Sequence, residues 1–254
     1  MKKFLWVLLL LLAGCVSSVS EEPQLNPVKG TYRFVEETEG NLSLVDDALR
    51  FSLYDKFISE LRLSRDPHYY YRSITLLVNK KIGLPVDFVP KDLIKTSVAL
   101  SPSSSFTSIR RDVNNALTVM FDAALEDGYQ LRFHSGYRSY SAQKRIYENY
   151  AQKFGKAQAD VFSAKAGHSE HQTGLAIDIT SPSSTGLFAV DFGDSNEGMW
   201  VAKHAHIFGF IIRYPKDKNE ITGYIYEPWH IRYVGIPLAT QLYESGLVME
   251  ELDN

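Results

Sequence analysis

Two short segments of the chain hold side chains that could act together in chemistry. The segment Ser-Glu-His-Gln-Thr-Gly-Leu-Ala-Ile-Asp contains His171 and Asp178, and the segment Glu-Pro-Trp-His contains Glu227 and His230. Two histidines and one carboxylate are side chains that bind zinc, and a catalytic zinc also keeps an open position for water. His171, Asp178 and His230 would then be the ligands, and Glu227 would remain as a general base. These residue types therefore predict a catalytic zinc site.

The spacing within both segments requires irregular backbone. The histidine and the aspartate of the first segment are seven positions apart, so one uninterrupted strand would direct them to opposite faces. Thr173 and Gly174 lie between them, and glycine permits a bend or bulge that could bring both side chains to one side. In the second segment Pro228 cannot donate a ladder hydrogen bond, which favours an edge or an irregular turn. We therefore expect both segments to leave regular strand geometry at the site.

A structural role is the alternative for each of these residues. A single histidine near a strand is more often a packed or surface residue than a metal ligand. Asp178 is harder to explain in this way, because it lies between Ile177 and Ile179 in an apolar run. A buried carboxylate costs several kcal/mol unless it is paired or bound to a metal. A salt bridge to Arg213 or Arg232 is the alternative explanation for it.

The elements that must position these residues can be predicted from hydrophobic spacing and from glycine and proline signals. Helices are predicted over 109–125, 146–154 and 196–208, with a last one that begins at Pro237. Strands are predicted over 129–133, 175–179, 210–214, 222–226 and 231–234, and the serine-rich stretch 101–105 is predicted to be a loop. Because the helices come first and the strands cluster later, the pattern indicates an α+β fold.

The composition is ordinary for a globular domain of the size of an enzyme. The chain has 254 residues, of which 44% are hydrophobic and 22% are charged, so it can bury a sizeable core. The formal net charge of −3 does not favour a nucleic-acid partner. The one cysteine excludes an internal disulfide framework.

The N-terminus has the pattern of an export signal. Lys2 and Lys3 precede an apolar run from Phe4 to Ala13, which is too short to span a membrane as a helix. Cys15 follows in the context Leu-Ala-Gly-Cys, which resembles a bacterial lipobox. We therefore expect an extracytoplasmic lipoprotein anchored to the membrane through Cys15, in the periplasm or on the outer face of the cell membrane. A signal peptide without lipidation is the alternative.

Several motifs in order resemble one known family. The motifs are Ser-Gly-Tyr-Arg-Ser at 135–139, Gln143, the two segments above, Gly-Phe-Ile-Ile-Arg-Tyr-Pro at 209–215 and Leu-Leu-Val-Asn-Lys at 76–80. Together they are similar to the VanY-type D-alanyl-D-alanine carboxypeptidases, which belong to the LAS group of zinc metallopeptidases, from about residue 75 to 245. One departure is Ala166, where the family often has proline. The resemblance implies helices packed on a small, mainly antiparallel sheet that carries a zinc site, and it implies that peptidoglycan stem peptides are the substrate.

The resemblance also implies roles for individual residues. His171, Asp178 and His230 would hold Zn²⁺, and Glu227 would take a proton from the attacking water. Further roles are implied for Arg138, which would bind substrate oxygen and stabilise the oxyanion, for the substrate-contacting Gln143 and Ser169, and for Trp229, which would pack beside the metal.

The N-terminal pattern, the composition and the resemblance together divide the chain into five parts. They are a signal peptide at 1–14, a flexible stalk at 15–40, an extension of unassigned role at 41–73, a catalytic domain at 74–246 and a tail at 247–254.

Three specificities remain open, namely removal of D-alanine from a pentapeptide (D,D), its removal from a tetrapeptide (L,D), and endopeptidase cleavage of a cross-link. A lipoprotein that binds wall peptides without cutting them is an alternative of a different class. No protein partner is evident.

Overall fold

The computed structural model describes residues 74–184 and 190–252. The predicted signal peptide, stalk and extension, with Cys15, lie outside these residues, so the predictions made for them stay predictions. Within the described ranges, no helix is both long enough and apolar enough to cross a bilayer.

A five-stranded mixed sheet forms the centre of the described structure. The strands in chain order are β1 Leu93–Lys95, β2 Leu100–Ser105, β3 Ser108–Arg110, β4 Arg132–Ser135, β5 Ala176–Thr180, β6 Phe210–Ile212 and β7 His230–Tyr233. The sheet has the order β2-β4-β5-β7-β6, and β1 pairs with β3 in a separate two-stranded sheet. The pair β2–β4 is parallel, whereas β4–β5, β5–β7 and β6–β7 are antiparallel. The sheet is thus mainly antiparallel, as predicted.

Helices lie between and after the strands along the chain. They are α1 Arg111–Glu126, α2 Tyr140–Phe154, α3 Lys156–Phe162, α4 Asn196–His204, α5 Asn219–Thr222 and α6 Ile236–Ser245. Short 3₁₀ helices occupy Glu170–Thr173, Val190–Asp194, Ala205–Phe208 and Met249–Glu251. Ser139 caps α2 by accepting a hydrogen bond from Ala142 N, which satisfies one of the free donors at the helix start.

The core lies between α1 and the sheet. The spacing of Val113, Leu117 and Met120 directs these residues to one face of α1, and all three are fully buried. They belong to one cluster with Ile177 and Ile231 of the central strands. Because side chains alternate along a strand, the neighbours of these isoleucines point to the opposite face of the sheet. That second face carries the polar site, and the predicted α+β fold is confirmed.

Two local predictions were wrong. Residues 101–105 form most of β2 and not a loop, because pairing with β4 at the sheet edge overrides the weak strand preference of serine, and Pro102 is tolerated on an edge strand. Residues 222–226 are not a strand: α5 ends at Gly223 with φ 78°, and the irregular backbone that follows buries Tyr224 against Tyr214, with ring centroids 4.5 Å apart.

The residues after α6 pack on the domain. Val248 and Met249 are each 3% exposed, and Met249 belongs to a cluster with Leu238 and Leu242 of α6. Glu250 accepts two hydrogen bonds from Arg213, at 2.9 and 2.6 Å. The described part of the segment 247–254, predicted to be a tail, therefore continues the packing of the domain.

Candidate metal centre

A bend before β5 brings His171 to the polar face of the sheet. His171 lies in the 3₁₀ helix Glu170–Thr173, which ends at Gly174 in the left-handed conformation, with φ 69°. This turn is the irregularity that the spacing requires, and glycine adopts it without a steric penalty. The imidazole is 2% exposed, and its Nδ1 donates a hydrogen bond of 2.7 Å to the carbonyl of Gly136.

Asp178 and His230 meet as direct cross-strand partners. They pair in register between β5 and β7, so their side chains share the face opposite the core. His230 Nδ1 lies 3.0 Å from Asp178 Oδ1, and His171 Nε2 lies 3.2 Å from Asp178 Oδ2. The three residues each offer one ligand atom, and these atoms all lie within 4.8 Å of one another.

The hydrogen-bond partners of the two histidines indicate which ring nitrogens carry protons and which can bind a cation. A carbonyl oxygen only accepts, so His171 Nδ1 carries the proton and its Nε2 lone pair faces the carboxylate of Asp178. On the other ring, Nε2 of His230 faces a second carboxylate, that of Glu170, at 3.5 Å. When Nε2 of His230 carries the proton, both imidazoles direct lone pairs at Asp178. Such an arrangement is repulsive unless a cation lies among the atoms, so the residues fit a divalent metal.

The charges of the three residues depend on their buried surroundings. Burial, together with the nearby Arg138 cation, lowers the pKa of His171 to about 4, so its imidazole is neutral at pH 7. Burial also disfavours the cation of His230, but the neighbouring carboxylates of Asp178 and Glu170 outweigh it and raise its pKa to about 9. Although burial opposes ionisation of Asp178, the two histidines hold its pKa well below the usual range. Without a metal, the proton of His230 thus balances the charge of Asp178.

Glu227 lies in the irregular turn that leads into β7. Its backbone N–H donates to Tyr214 O at 3.0 Å, and its carbonyl accepts from His230 N at 3.1 Å. The residue is 8% exposed. Burial and, to a smaller extent, the charge of Asp178 raise the pKa of its carboxyl to about 7, against the opposing effects of His230 and Arg138. A carboxyl with this pKa can both accept and release a proton near neutral pH.

Arg138 is connected to the same site through the loop after β4. Its backbone N–H donates to the carbonyl of His171 at 3.1 Å. Burial lowers the pKa of the guanidinium, while the charges of Asp178 and Glu227 raise it, so all three groups lie within electrostatic reach of one another. Its Nε is buried and has no hydrogen-bond partner in the described part of the chain. The guanidinium thus keeps a donor that a ligand could use.

The other predicted site residues, Gln143, Ser169 and Trp229, are all buried but lie in different surroundings. Gln143 is 1% exposed and donates through Nε2 to Ala164 O at 2.7 Å, while its Oε1 is buried without a partner among the described residues. Ser169 is 4% exposed and directly precedes the 3₁₀ helix of His171. Trp229 belongs to the hydrophobic core cluster. The aromatic ring that stacks on His230 is that of Tyr214, with centroids 5.0 Å apart.

One buried carboxylate of the site was missed from the sequence. Glu170 is 1% exposed, and its Oε1 accepts from Arg213 Nε at 2.8 Å and from Arg232 Nη1 at 2.6 Å. The salt bridge considered for Asp178 is therefore formed by Glu170 in its place. The position of Glu170 beside His171 was the available signal, but its partners come from distant strands.

Comparison with known proteins agrees with this geometry. The family model described as "VanY: D-alanyl-D-alanine carboxypeptidase" matches residues 106–236. YodJ of Bacillus subtilis (strain 168) is 45% identical over 181 residues, which are 70% of this chain and 66% of that relative. The matches span 57 to 66% of the length of the curated relatives.

Two solved structures are similar in fold and in sequence. The structure of the LdcB LD-carboxypeptidase has a TM-score of 0.68 and 44% identity, and the match covers 71% of this chain and 86% of that one. A mutant of the vancomycin-resistance D,D-pentapeptidase VanY in complex with Zn(II) has a TM-score of 0.58 and 35% identity, covering 71% of this chain and 98% of that one.

Proposed function

Because this chain belongs to the VanY D-alanyl-D-alanine carboxypeptidase family, we propose that it is a zinc-dependent carboxypeptidase that hydrolyses the terminal D-alanine amide bond of peptidoglycan stem peptides. The observation that carries the proposal is the convergence of His171, Asp178 and His230, whose ligand atoms lie within 4.8 Å of one another. Both imidazoles present a ring nitrogen to the same carboxylate, and this combination of side chains is one that zinc binds. Glu227 adds a proton acceptor that a binding site would not need.

Zinc would be held by Nε2 of His171, the carboxylate of Asp178 and Nδ1 of His230. Bound there, it would act as a Lewis acid that polarises the scissile carbonyl and makes water a nucleophile near neutral pH. Three protein ligands leave a coordination position open, as catalytic zinc sites require. The related VanY structure, solved in complex with Zn(II), supports the choice of metal.

Glu227 would move the protons of the reaction. Its carboxylate accepts a proton from the attacking water and then delivers that proton to the nitrogen of the leaving D-alanine. The pKa of about 7 that burial gives to this carboxyl suits both steps at neutral pH. Its burial also keeps bulk water from competing for the proton.

Arg138 would bind the substrate through its guanidinium. The reaction builds negative charge on the carbonyl oxygen, and a fixed cation in a water-poor site stabilises that charge. The buried Nε of Arg138, which lacks a hydrogen-bond partner within the described ranges, is the donor available for this purpose. Gln143 and Ser169 would provide further contacts to the peptide, since the buried Oε1 of Gln143 can accept from a substrate N–H.

The residue that precedes the cut bond distinguishes D,D from L,D activity. The shared metal ligands and base do not select between them, because the walls of the pocket set specificity. The likeness to the LdcB LD-carboxypeptidase, at 44% identity, supports L,D activity as the second candidate. Endopeptidase cleavage would use the same site.

Digestion of defined stem peptides by the zinc-loaded protein tests the proposal. A pentapeptide that loses one D-alanine, detected by mass spectrometry, would indicate D,D activity, and the same loss from a tetrapeptide would indicate L,D activity. Cleavage of a cross-linked dimer into two stems would indicate an endopeptidase. A protein that binds stems but leaves all three masses unchanged would be a wall-binding lipoprotein, and the proposed function would be wrong.

We also propose that the protein works outside the cytoplasm and is tethered to the membrane through a lipidated Cys15. The support is the lipobox-like sequence after the short apolar run. Cys15→Ala should move the protein from the membrane fraction to the soluble fraction, and mass spectrometry should detect a lipid on the mature N-terminus of the unmodified sequence. An unlipidated N-terminus on that protein would contradict the anchor.

A further inference from the structure

Glu170 is a buried carboxylate that neither the ligand set nor the base requires. It stands between two fully buried cations, because Arg213 and Arg232 are both 0% exposed and both donate to its Oε1. Charges are buried in proteins only when they are paired and hydrogen-bonded. The two arginines therefore hold the carboxylate in one orientation, with Oε1 toward them.

The other oxygen of Glu170 faces His230. Oε2 of Glu170 and Nε2 of His230 lie 3.5 Å apart, and neither atom has a hydrogen-bond partner in the described part of the molecule. A proton on Nε2, directed at Oε2, is the arrangement that satisfies both buried atoms. It also leaves Nδ1 as the nitrogen that faces Asp178.

The backbone connects the arginines directly to His230. Arg232 follows His230 by two residues on β7, so both side chains lie on the same face of the strand. The backbone N–H of Arg213 donates to the carbonyl of His230 at 3.1 Å. Arg232 is fixed in turn by hydrogen bonds from Nη2 to the carbonyls of Ile74 and Leu76, at 3.1 and 2.7 Å. The two arginines that hold the carboxylate of Glu170 are thus themselves positioned by β7, the strand that carries His230.

We propose that Glu170 is a positioning residue for His230: held by Arg213 and Arg232, it keeps the proton on Nε2 and so presents Nδ1 as the metal-binding nitrogen. Carboxylates that accept the second ring N–H of a ligating histidine fix its tautomer and orientation, and their loss typically lowers metal affinity by about 10- to 100-fold. The inference rests on one part of the proposed function, namely that the site binds zinc. It is tested by measuring zinc affinity and the position of the imidazole proton, and not by measuring turnover.

Zinc affinity, measured by competition with a chromogenic chelator, tests the proposal with matched variants. Glu170→Gln keeps the size of the side chain but presents an amide to the arginines and the histidine, so we expect zinc affinity to fall about 10- to 100-fold. Glu250→Gln is the control, because Glu250 also pairs with Arg213 but has no contact with His230 among those resolved by the structure. It should lower the melting temperature and leave zinc affinity unchanged. Equal zinc affinities in the wild-type chain and Glu170→Gln, or equal losses in both variants, would overturn the inference.

Glu170→Gln leaves two arginine charges beside one neutral amide, which could prevent folding. A second pair therefore compares Glu170→Gln/Arg232→Met, which restores the charge balance, with Arg232→Met alone. The double variant should bind zinc more weakly than the single one by the same factor, and equal affinities would contradict the role of Glu170.

The ring nitrogens of the zinc-loaded wild-type protein give a test that needs no variant. Long-range ¹H–¹⁵N spectra should assign the proton of His230 to Nε2 and that of His171 to Nδ1, as the Gly136 hydrogen bond of His171 requires. A proton on Nδ1 of His230, with Nε2 bound to zinc, would overturn the inference while the proposed activity remained intact. A wild-type protein that binds no zinc would overturn the proposed function itself.

Discussion

Asp178 and His230 are direct cross-strand partners, and Nδ1 of the imidazole lies 3.0 Å from Oδ1 of the carboxylate. The register of β5 and β7 thus brings together two residues that are 52 positions apart in the chain. A shift of one residue in that register would turn Asp178 into the hydrophobic core. The strand pairing that builds the core therefore also brings together two residues of the candidate metal centre.

The ligand assignment predicts that His171→Ala binds little zinc. The change removes one of the three ligand atoms and leaves Asp178 with a single imidazole neighbour. His168→Ala is the matched control, because this ring lies three residues earlier and bonds to the carbonyl of Asn79, away from Asp178. Zinc content after dialysis, measured by atomic emission, should fall well below stoichiometric in the first variant and stay at about one ion per chain in the control. Full occupancy in His171→Ala would remove this residue from the ligand set.

The assignment of the base predicts that Glu227→Gln retains zinc and loses turnover. Glutamine keeps the shape of the side chain but cannot accept the proton from water, and general acid–base catalysis contributes about 10²–10⁴-fold. We expect kcat to fall by that factor, measured as D-alanine released from a stem peptide. Glu220→Gln, at an exposed position in α5, should leave kcat unchanged. A variant at position 227 with turnover close to wild type would exclude Glu227 as the base.

Zinc binding should release a proton, because the metal replaces the proton on Nδ1 of His230. The pKa of this residue in the metal-free protein is raised to about 9 by its two carboxylate neighbours. The metal competes with that proton below about pH 9, so apparent zinc affinity should rise with pH up to that value and level off above it. Calorimetry in buffers of different ionisation enthalpy measures the protons released. Binding without proton release at pH 7 would contradict the charge assignment of the site.

Arg138→Ala should lower kcat/KM by about 10²–10³-fold, the loss typical when a donor to a developing oxyanion is removed. Arg138→Lys should recover only part of the activity, because an ammonium lacks the planar fork of the guanidinium. The exposed Arg145, which lies in α2 and follows Arg138 by seven positions, is the control, and Arg145→Ala should keep wild-type kinetics. Equal kinetics for Arg138→Ala and Arg145→Ala would show that Arg138 does not contact the reacting group.

Gly136→Ala should destabilise the protein and weaken zinc binding together. A methyl group at this position would lie 2.6 Å from both Ile109 Cγ2 and Ser108 O, so the loop whose carbonyl orients His171 must shift. Overpacking of this kind costs about 1–3 kcal/mol of unfolding free energy. Gly128→Ala is the control, since it meets only backbone strain at φ 88° and lies outside the site. Denaturant unfolding should detect a loss in both variants, whereas chelator competition should detect weaker zinc binding only in Gly136→Ala.

The convergence of His171, Asp178 and His230 could be predicted from the sequence because it leaves local signals in each segment. Asp178 stands out between two isoleucines, and Gly174 and Pro228 mark the places where regular strands must end. The structure contains a left-handed turn at Gly174 and an irregular turn at Pro228. The resemblance in several ordered motifs added the fold and the substrate class.

The surroundings of the metal centre could not be predicted, because they depend on contacts between distant segments. Arg213 and Arg232 are plausible partners for any buried carboxylate, and only the packed strands assign them to Glu170. Likewise, the stacking of Tyr214 on His230 depends on the packing of distant segments. The strand β2 was missed for the same reason, because pairing with β4 and not residue preference stabilises it.

The central claim is that His171, Asp178 and His230 bind one divalent cation with Glu227 beside it. Anomalous diffraction from crystals of the zinc-loaded protein, collected at the zinc absorption edge, tests it most directly. We expect a single strong peak within bonding distance of His171 Nε2, Asp178 and His230 Nδ1. A peak at other residues, or none in crystals grown with excess zinc, would contradict it.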